Sequence, residues 1–135
     1  MILILIKEES IGISIEADKK EIKAGENCIY TIDIINQGSD MTRNLILDIY
    51  ITPGIPIIKG AIRRMRGILD IEEEYTGLTI GNLAPLEVAQ VVFEARLKEE
   101  DTVKEIQCYG IIRGEATSDK VTIEVNDKKK GDNPV

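Results

Sequence analysis

The sequence contains no histidine and no tryptophan, and only one phenylalanine and two cysteines. Without histidine, the chain lacks the commonest general base and the commonest metal ligand. Two cysteines are too few for a disulfide scaffold, and they lack the C-x-x-C spacing of zinc and redox sites. A nucleophile elbow, a phosphate-binding glycine loop and a recognisable pair of catalytic acids are also missing. The sequence therefore predicts a protein that is not an enzyme and that has no cofactor and no metal.

Excess basic charge is also missing. The net charge is −7, which argues against nucleic acid as a partner, because phosphates require a basic face. The basic run Lys128–Lys130 stands beside acidic residues near the end of the chain, and we interpret it as a solvated tail. No apolar run approaches the roughly 20 residues that a membrane span needs, so membrane insertion is not expected.

Isoleucine and short alternating segments dominate what is present. At 135 residues, 43% hydrophobic and 30% charged, the chain can bury a core as one domain. Turn signals recur every 8–12 residues, a spacing typical of all-β sandwiches and barrels. The predicted strands are 11–16, 28–35, 44–51, 55–58, 67–71, 77–80, 88–97, 106–112 and 120–125. A lone helix within 61–74 is the alternative for that region, although a glycine in its middle disfavours it by about 1 kcal/mol.

Three stretches carry a family resemblance. They are KAGENCIYTIDIIN at 23–36, NLILDIYITPG at 44–54 and LTIGNLAP at 78–85. In order and spacing they resemble the conserved-repeat family called domain of unknown function 11, over about residues 11–126. The resemblance implies an immunoglobulin-like sandwich, usually found in tandem arrays on prokaryotic surface proteins as a spacer, stalk or adhesive module. Here a single copy is present, Cys28 replaces the usual valine, and Leu86 replaces the glycine after Ala-Pro.

The residues of these motifs have structural roles of their own. The positions concerned are Gly25, Tyr30, Asn36, Pro53, Gly54, Gly81, Leu83 and Pro85. Gly25 and Gly54 are expected at turns that need positive φ. Tyr30 is expected in the core with its hydroxyl bonded to the backbone at a sandwich corner. Asn36 can bond its own backbone two residues on and so end a strand.

Cys28 and Cys108 are a candidate disulfide. In an immunoglobulin-like sandwich their strands belong to opposing sheets, and both cysteines fall in the inward phase. A bridge closing a loop of about 80 residues would contribute on the order of 4 kcal/mol. The alternative is a pair of separate buried thiols that act as small hydrophobic side chains.

Two acidic clusters, Glu72–Glu74 and Glu99–Asp101, could supply oxygen ligands to Ca²⁺. Neither has the spacing that wraps a loop around the ion, which favours solvated charge runs. These clusters are the basis of the alternative function, a monomeric ligand- or cation-binding module of a cell-envelope protein.

The first residues after Met1 are apolar without interruption: Ile2, Leu3, Ile4, Leu5 and Ile6. The run lacks the basic region and the cleavage site of a signal peptide. A strand with apolar residues on both faces needs cover on both. It can pair within its own sandwich, or it can lie in a neighbour's groove as an added strand, with Lys7–Ser10 as the hinge.

The sequence thus divides into an N-terminal strand and hinge at 1–10, a sandwich at 11–126 and a charged tail at 127–135, expected to be disordered. The functional expectation is a noncatalytic structural or adhesive module of a prokaryotic surface assembly, such as a fibre, appendage, coat or stalk. Its partners would be copies of itself or neighbouring modules. From the resemblance, its place would be the cell surface or the extracellular space, with the spore surface as one option.

Overall fold

The protein is an all-β sandwich of two sheets in the computed structural model, as the sequence predicts. The structure describes residues 10–65, 67–71, 75–100 and 102–126. The proposed N-terminal strand Ile2–Ile6 and the charged tail at 127–135 lie outside these residues. Within them every regular element is a strand, and the strands run from Ile11 to Val125.

Eleven strands form within the described residues, and nine of them have five residues or more. This agrees with the seven to nine predicted strands. The strands are β1 (Ile11–Ala17), β2 (Glu21–Ile22), β3 (Asn27–Asn36), β4 (Thr42–Ile51), β5 (Ile57–Arg64), β6 (Gly67–Ile71), β7 (Leu78–Leu83), β8 (Val88–Arg96), β9 (Glu105–Ile112), β10 (Ala116–Thr117) and β11 (Val121–Val125).

The topology is that of an immunoglobulin-like domain with additional strands. The first sheet has the order β1-β3-β8-β5-β6, and the second has the order β2-β11-β9-β4-β7, with β10 paired to β9. A constant-type immunoglobulin domain has strands A-B-E-D in one sheet and C-F-G in the other. Strands β1-β3-β8-β5 and β4-β9-β11 follow these two orders in chain sequence. Strands β6 and β7 extend the two sheets on the same side of the sandwich.

Alternation along each long strand builds the core between the sheets. In β3 the side chains of Cys28, Tyr30, Ile32 and Ile34 are fully buried, while Ile29 faces outward. Strand β8 alternates in the same way and lies at the centre of the first sheet. Because successive side chains of a strand point to opposite faces, the alternation of β3 is visible in the sequence, whereas β8 has apolar residues on both faces that conceal its inward phase there.

Two predicted segments differ from the structure. The predicted strand 55–58 is displaced, because β5 covers Ile57–Arg64, and the described part of 61–74 forms the β5–β6 hairpin instead of a helix. The predicted strand 77–80 continues to Leu83. Gly81, at φ +88°, lies at a register irregularity inside β7 and does not end the strand. A glycine with positive φ can lie in a bulge as well as in a turn. The predicted strand therefore ended too early, at residue 80.

Candidate functional site

Several motif residues meet at one corner of the sandwich. Asn36 is fully buried, and its Nδ2 donates to the carbonyls of Asp40 at 2.7 Å and Leu83 at 2.9 Å. Its Oδ1 accepts from the N–H of Gly38, two residues on, at 2.9 Å. The side chain therefore ends β3 and joins it to the end of β7, which is an architectural role.

The turn after β7 carries a strained residue. The N–H of Glu87 donates to the carbonyl of Ala84 at 2.9 Å, with Pro85 and Leu86 as the central residues of the turn. Leu86 has φ +66° and is 74% exposed. A type II turn requires positive φ at this position and favours proline before it. Leu86 thus has the backbone conformation of a glycine at the position where the resembling family has one.

The remaining motif glycines also lie in turns. Gly25 precedes β3 at φ +87°, and Gly54 follows β4 at φ +88°. Pro53 stands beside Gly54 in the same turn, which the N–H of Ile55 closes by donating to the carbonyl of Thr52 at 3.3 Å. These positions shape the fold and bring no reactive group to the surface.

Cys28 and Cys108 are buried free thiols on opposite sheets, on β3 and β9. Burial raises the pKa of the Cys28 thiol, and burial together with Cys28 raises that of Cys108 to about 12. Both thiols are therefore protonated at neutral pH and are poor nucleophiles, because the thiolate is the reactive form. The disulfide between them stays a prediction that a non-reducing intact mass would test.

The hydroxyl of Tyr30 differs from its expected role. The residue is fully buried and its ring stacks on Phe93 at 5.2 Å. Its hydroxyl has no partner of hydrogen-bond geometry among the described residues, so the expected backbone bond is absent. Burial first, and then the nearby thiols of Cys28 and Cys108, raise the pKa of Tyr30. Its strand, β3, lies inside the first sheet between β1 and β8.

A buried carboxylate of the second motif, missed in the sequence, holds the entry to β7. Asp48 accepts two hydrogen bonds from Arg113, at 2.7 and 2.9 Å, and one from the N–H of Gly77 at 2.7 Å. The bonds from Arg113, followed by that from Gly77, lower the pKa of Asp48. The aspartate within the motif was a signal, but its partner lies 65 residues away.

Arg64 links the two sheets on the side where β6 and β7 lie. It extends from β5, and its guanidinium donates to the carbonyls of Ile80, at 2.7 Å, and Asn82, both on β7. It also pairs with Glu87 at 2.6 Å. Nη1 of Arg64 lies 3.2 Å from the place of a Cβ at Gly81, so glycine allows this approach. In the sequence Arg64 stood in a basic stretch with nothing to indicate these partners.

The adjacent strand β6 has an apolar edge that no other described strand covers. Ile68 and Leu69 are each 67% exposed, and β5 is the one strand paired with β6 among the described residues. A groove of ≈ 330 Å³ runs between β6 and β7, lined by Ile62, Ile68, Leu69 and Ile80 among others. We call β6 together with this groove the open edge. The sequence predicted β6 with its correct bounds but gave no sign that it would be uncovered.

The outer face of the first sheet has a second hollow, of ≈ 650 Å³. Ile29, Val92 and Ile68 form its apolar floor, and charged side chains surround it, including Lys59 and Glu94. Lys59 and Glu94 form an ion pair at 3.8 Å. The hollow offers apolar contact with a few charges and no reactive group.

The acidic clusters are only partly within the described chain. Glu72–Glu74 and Asp101 lie outside it, while Glu99 and Glu100 lie in the loop after β8. Among the described residues no three potential ligands of the His, Cys, Asp and Glu types come together for a metal ion. The same residues include no helix long and apolar enough to cross a membrane.

These features define the chain as an immunoglobulin-like sandwich with one open edge. No family model matches the sequence, and no curated protein matches it. Among solved structures, one similar chain is described as AvmM, which catalyses macrocyclization in alchivemycin A biosynthesis. It has a TM-score of 0.61 at 11% identity, with 91% of this chain and 92% of that chain covered.

A sporulation control protein from Bacillus subtilis, Spo0M, is also similar. Its TM-score is 0.49 at 15% identity, covering 87% of this chain and 49% of that chain. A β-glucosidase from Erythrobacter marinus has a TM-score of 0.46 at 17% identity, covering 87% of this chain and 15% of that chain. At such low identities only the likeness to AvmM has weight, and it concerns the fold alone.

Proposed function

We propose that this chain is a noncatalytic structural or adhesive module of a prokaryotic surface assembly, and that it acts by associating with copies of itself. The observation that carries the proposal is the open edge, where β6 pairs with no described strand other than β5 and the side chains of Ile68 and Leu69 are exposed. Natural sandwiches usually blunt such edges with charge, proline or cover, because an uncovered apolar edge pairs with other chains. Here it fits a surface built for association.

The resemblance to the repeat family supports the surface location. The positive φ of Leu86, at the position where that family has glycine, agrees with it in backbone geometry.

The chemistry of the described residues supports a noncatalytic role. The chain contains no histidine, and its two thiols are buried with raised pKa values. The charged groups with shifted pKa values, Asp48 and Arg113, neutralise one another in a structural ion pair. A catalytic site would instead have such groups converge on a cleft where substrate can bind.

Sedimentation velocity of the full chain tests the proposal over a concentration series from about 1 to 300 μM. We expect the mass to rise with concentration, and negative-stain microscopy should show discrete oligomers or fibres of constant width. A chain that stays monomeric throughout the series would contradict the proposal.

A second candidate is a monomeric ligand-binding module, favoured by the apolar hollow on the outer face of the first sheet. It predicts a monomer whose melting temperature rises with a bound apolar or amphipathic compound. Ala61→Arg at the floor of the hollow would abolish such a rise without changing the oligomeric state. The two functions are thus separated by mass and by thermal shift in the same samples.

A further inference from the structure

We infer that the open edge accepts the N-terminal apolar segment Ile2–Ile6 of a second copy of this chain, which pairs with β6 as an added strand. The inference rests on the proposed function and names the joint through which the assembly would form. The acceptor lies wholly within the described residues. The donor is identified by its composition and by its distance along the chain from β1.

The acceptor strand β6 is the last strand of its sheet, and the facing sheet does not cover its inward side chains. Leu69 pairs with the buried Ile62 and shares its inward phase, yet it is 67% exposed. Ile71 has the same phase, while Ile68 faces outward and is equally exposed. Strand β6 therefore has apolar side chains without sufficient cover on both of its faces.

An incoming strand would meet apolar surface on each side. Its inward side chains would lie over the groove formed with Ile80, and its outward ones would extend the hollow that contains Ile68 and Ile29. Most strands alternate apolar and polar residues and could satisfy only one side. Ile2–Ile6 has apolar side chains on both faces, and its five residues equal β6 in length.

The neighbouring edge strand β7 is not available in the same way. Arg64 already donates to its carbonyls at Ile80 and Asn82. A strand added to β7 would have to displace this guanidinium and separate it from Glu87. The open edge therefore points to β6 as the pairing strand.

A chain cannot supply the strand to its own β6. Paired residues place Ser14, Asp33, Gln90, Arg63 and Ile68 in one row across the first sheet. A strand beyond β6 lies five strand spacings from β1, or roughly 24 Å at about 4.8 Å each. From Ile6 to Ile11 the backbone spans at most about 17 Å. The donor must therefore come from another copy.

If Ile2–Ile6 paired with β1 of its own chain, fewer of its apolar side chains would be covered. The inward residues Ile11 and Ile15 are already buried. After β1 the chain crosses to the second sheet, where β2 pairs with β11. Among the described residues, the apolar groove between the sheets lies on the other side, between β6 and β7.

Complementation between two blocked variants tests the inference. The donor-blocked variant carries Ile4→Lys and Leu5→Lys, and the acceptor-blocked variant carries Ile68→Lys and Leu69→Lys. A matched control, Ile58→Lys with Val88→Lys, makes the same change at two exposed aliphatic residues away from the open edge. Each is compared with the wild type by sedimentation velocity, and circular dichroism checks that each is folded.

We expect the wild type and the control to associate and each blocked variant to remain monomeric, with self-association at least 10-fold weaker. An equimolar mixture of the blocked variants should give a 1:1 dimer, because each retains the half that the other lacks. An acceptor-blocked variant that associates like the wild type would overturn the inference and leave the proposed function standing. So would a mixture that gives no dimer. A wild type that stays monomeric would overturn both.

Discussion

The two lateral sides of this sandwich are built in opposite ways. At one side, the inward residues Ile11 and Ile15 of β1 are buried, and the chain then crosses between the sheets to form β2 on the facing sheet. At the other side, β6 extends the first sheet beyond the cover of the second, and Leu69 remains exposed in the inward phase. Alternation of apolar residues therefore predicts which way a side chain points, whereas its burial depends on whether the facing sheet extends over it.

The same substitution should have very different effects on stability at the two lateral sides. Ile15 and Leu69 lie in the same row of the first sheet, both in the inward phase. We expect Ile15→Lys to lower the free energy of unfolding by about 3–5 kcal/mol, because it places a charge in a packed site. Leu69→Lys should change it by less than about 0.5 kcal/mol, as at an ordinary surface position. Urea denaturation at low protein concentration measures both, and equal losses would contradict the comparison.

Removing the Arg64 guanidinium should make the edge of β7 available for pairing beside the edge of β6. Arg64→Ala leaves the carbonyls of Ile80 and Asn82 without their donor. We expect a loss of about 1–3 kcal/mol of stability, the usual range for hydrogen bonds to a charged group. Self-association should strengthen, because β7 then becomes a second unpaired edge. Arg64→Lys is the matched control, which keeps the charge without the fork of donors.

Low pH should destabilise the side that carries β7 at one contact, the hydrogen bonds that Asp48 accepts from Arg113 and Gly77. The pKa of Asp48 is lowered in the folded state by Arg113 and by the N–H of Gly77. Stability from this pair is therefore fully present above the unfolded pKa of about 3.9 and is lost as pH falls through the folded value. We expect Asp48→Asn to cost about 1 kcal/mol at pH 7 and to flatten the loss of stability below pH 4. In the Asp48→Asn variant at neutral pH, the exchange of backbone amide hydrogens should become faster in β7, and the increase should be smaller in β1.

The smallest effect is expected beside the open edge, at the turn that ends β7. Leu86 has φ +66° without burial to compensate. Leu86→Gly should raise the free energy of unfolding by about 0.5–1 kcal/mol. The gain comes from relief of the left-handed strain, and the greater conformational entropy of glycine in the unfolded chain offsets part of it. Leu86→Ala is the control, since alanine keeps the strain. A thermal melt in which alanine and glycine behave alike would show that the backbone is not under strain there.

Local patterns predicted the fold well where apolar residues mark a strand without interruption. Cys28, Tyr30 and Ile32 fall into the inward phase by alternation alone, and β6 was found from its flanking glycine and apolar run. The bounds of β5 and β7 were wrong because basic residues and a positive-φ glycine lie inside strands there. The partners of Arg64 and Asp48 are separated from them by 16 and 65 residues. Only the folded chain brings these together, so spacing along the sequence carries no trace of them.

Arg64 also has a consequence for the shape of any assembly. By occupying the carbonyls of β7, it leaves β6 as the acceptor that we infer among the described residues, and Ile2–Ile6 is the donor in the same inference. A joint between unlike surfaces repeats head to tail, closing into a ring or continuing as a filament. A filament of this kind is unbranched and has two chemically different ends, one with a vacant groove and one with a free strand. A short apolar peptide that fills the vacant groove would stop growth at one end. A copy that has the groove but lacks the donor strand would stop growth at the other end.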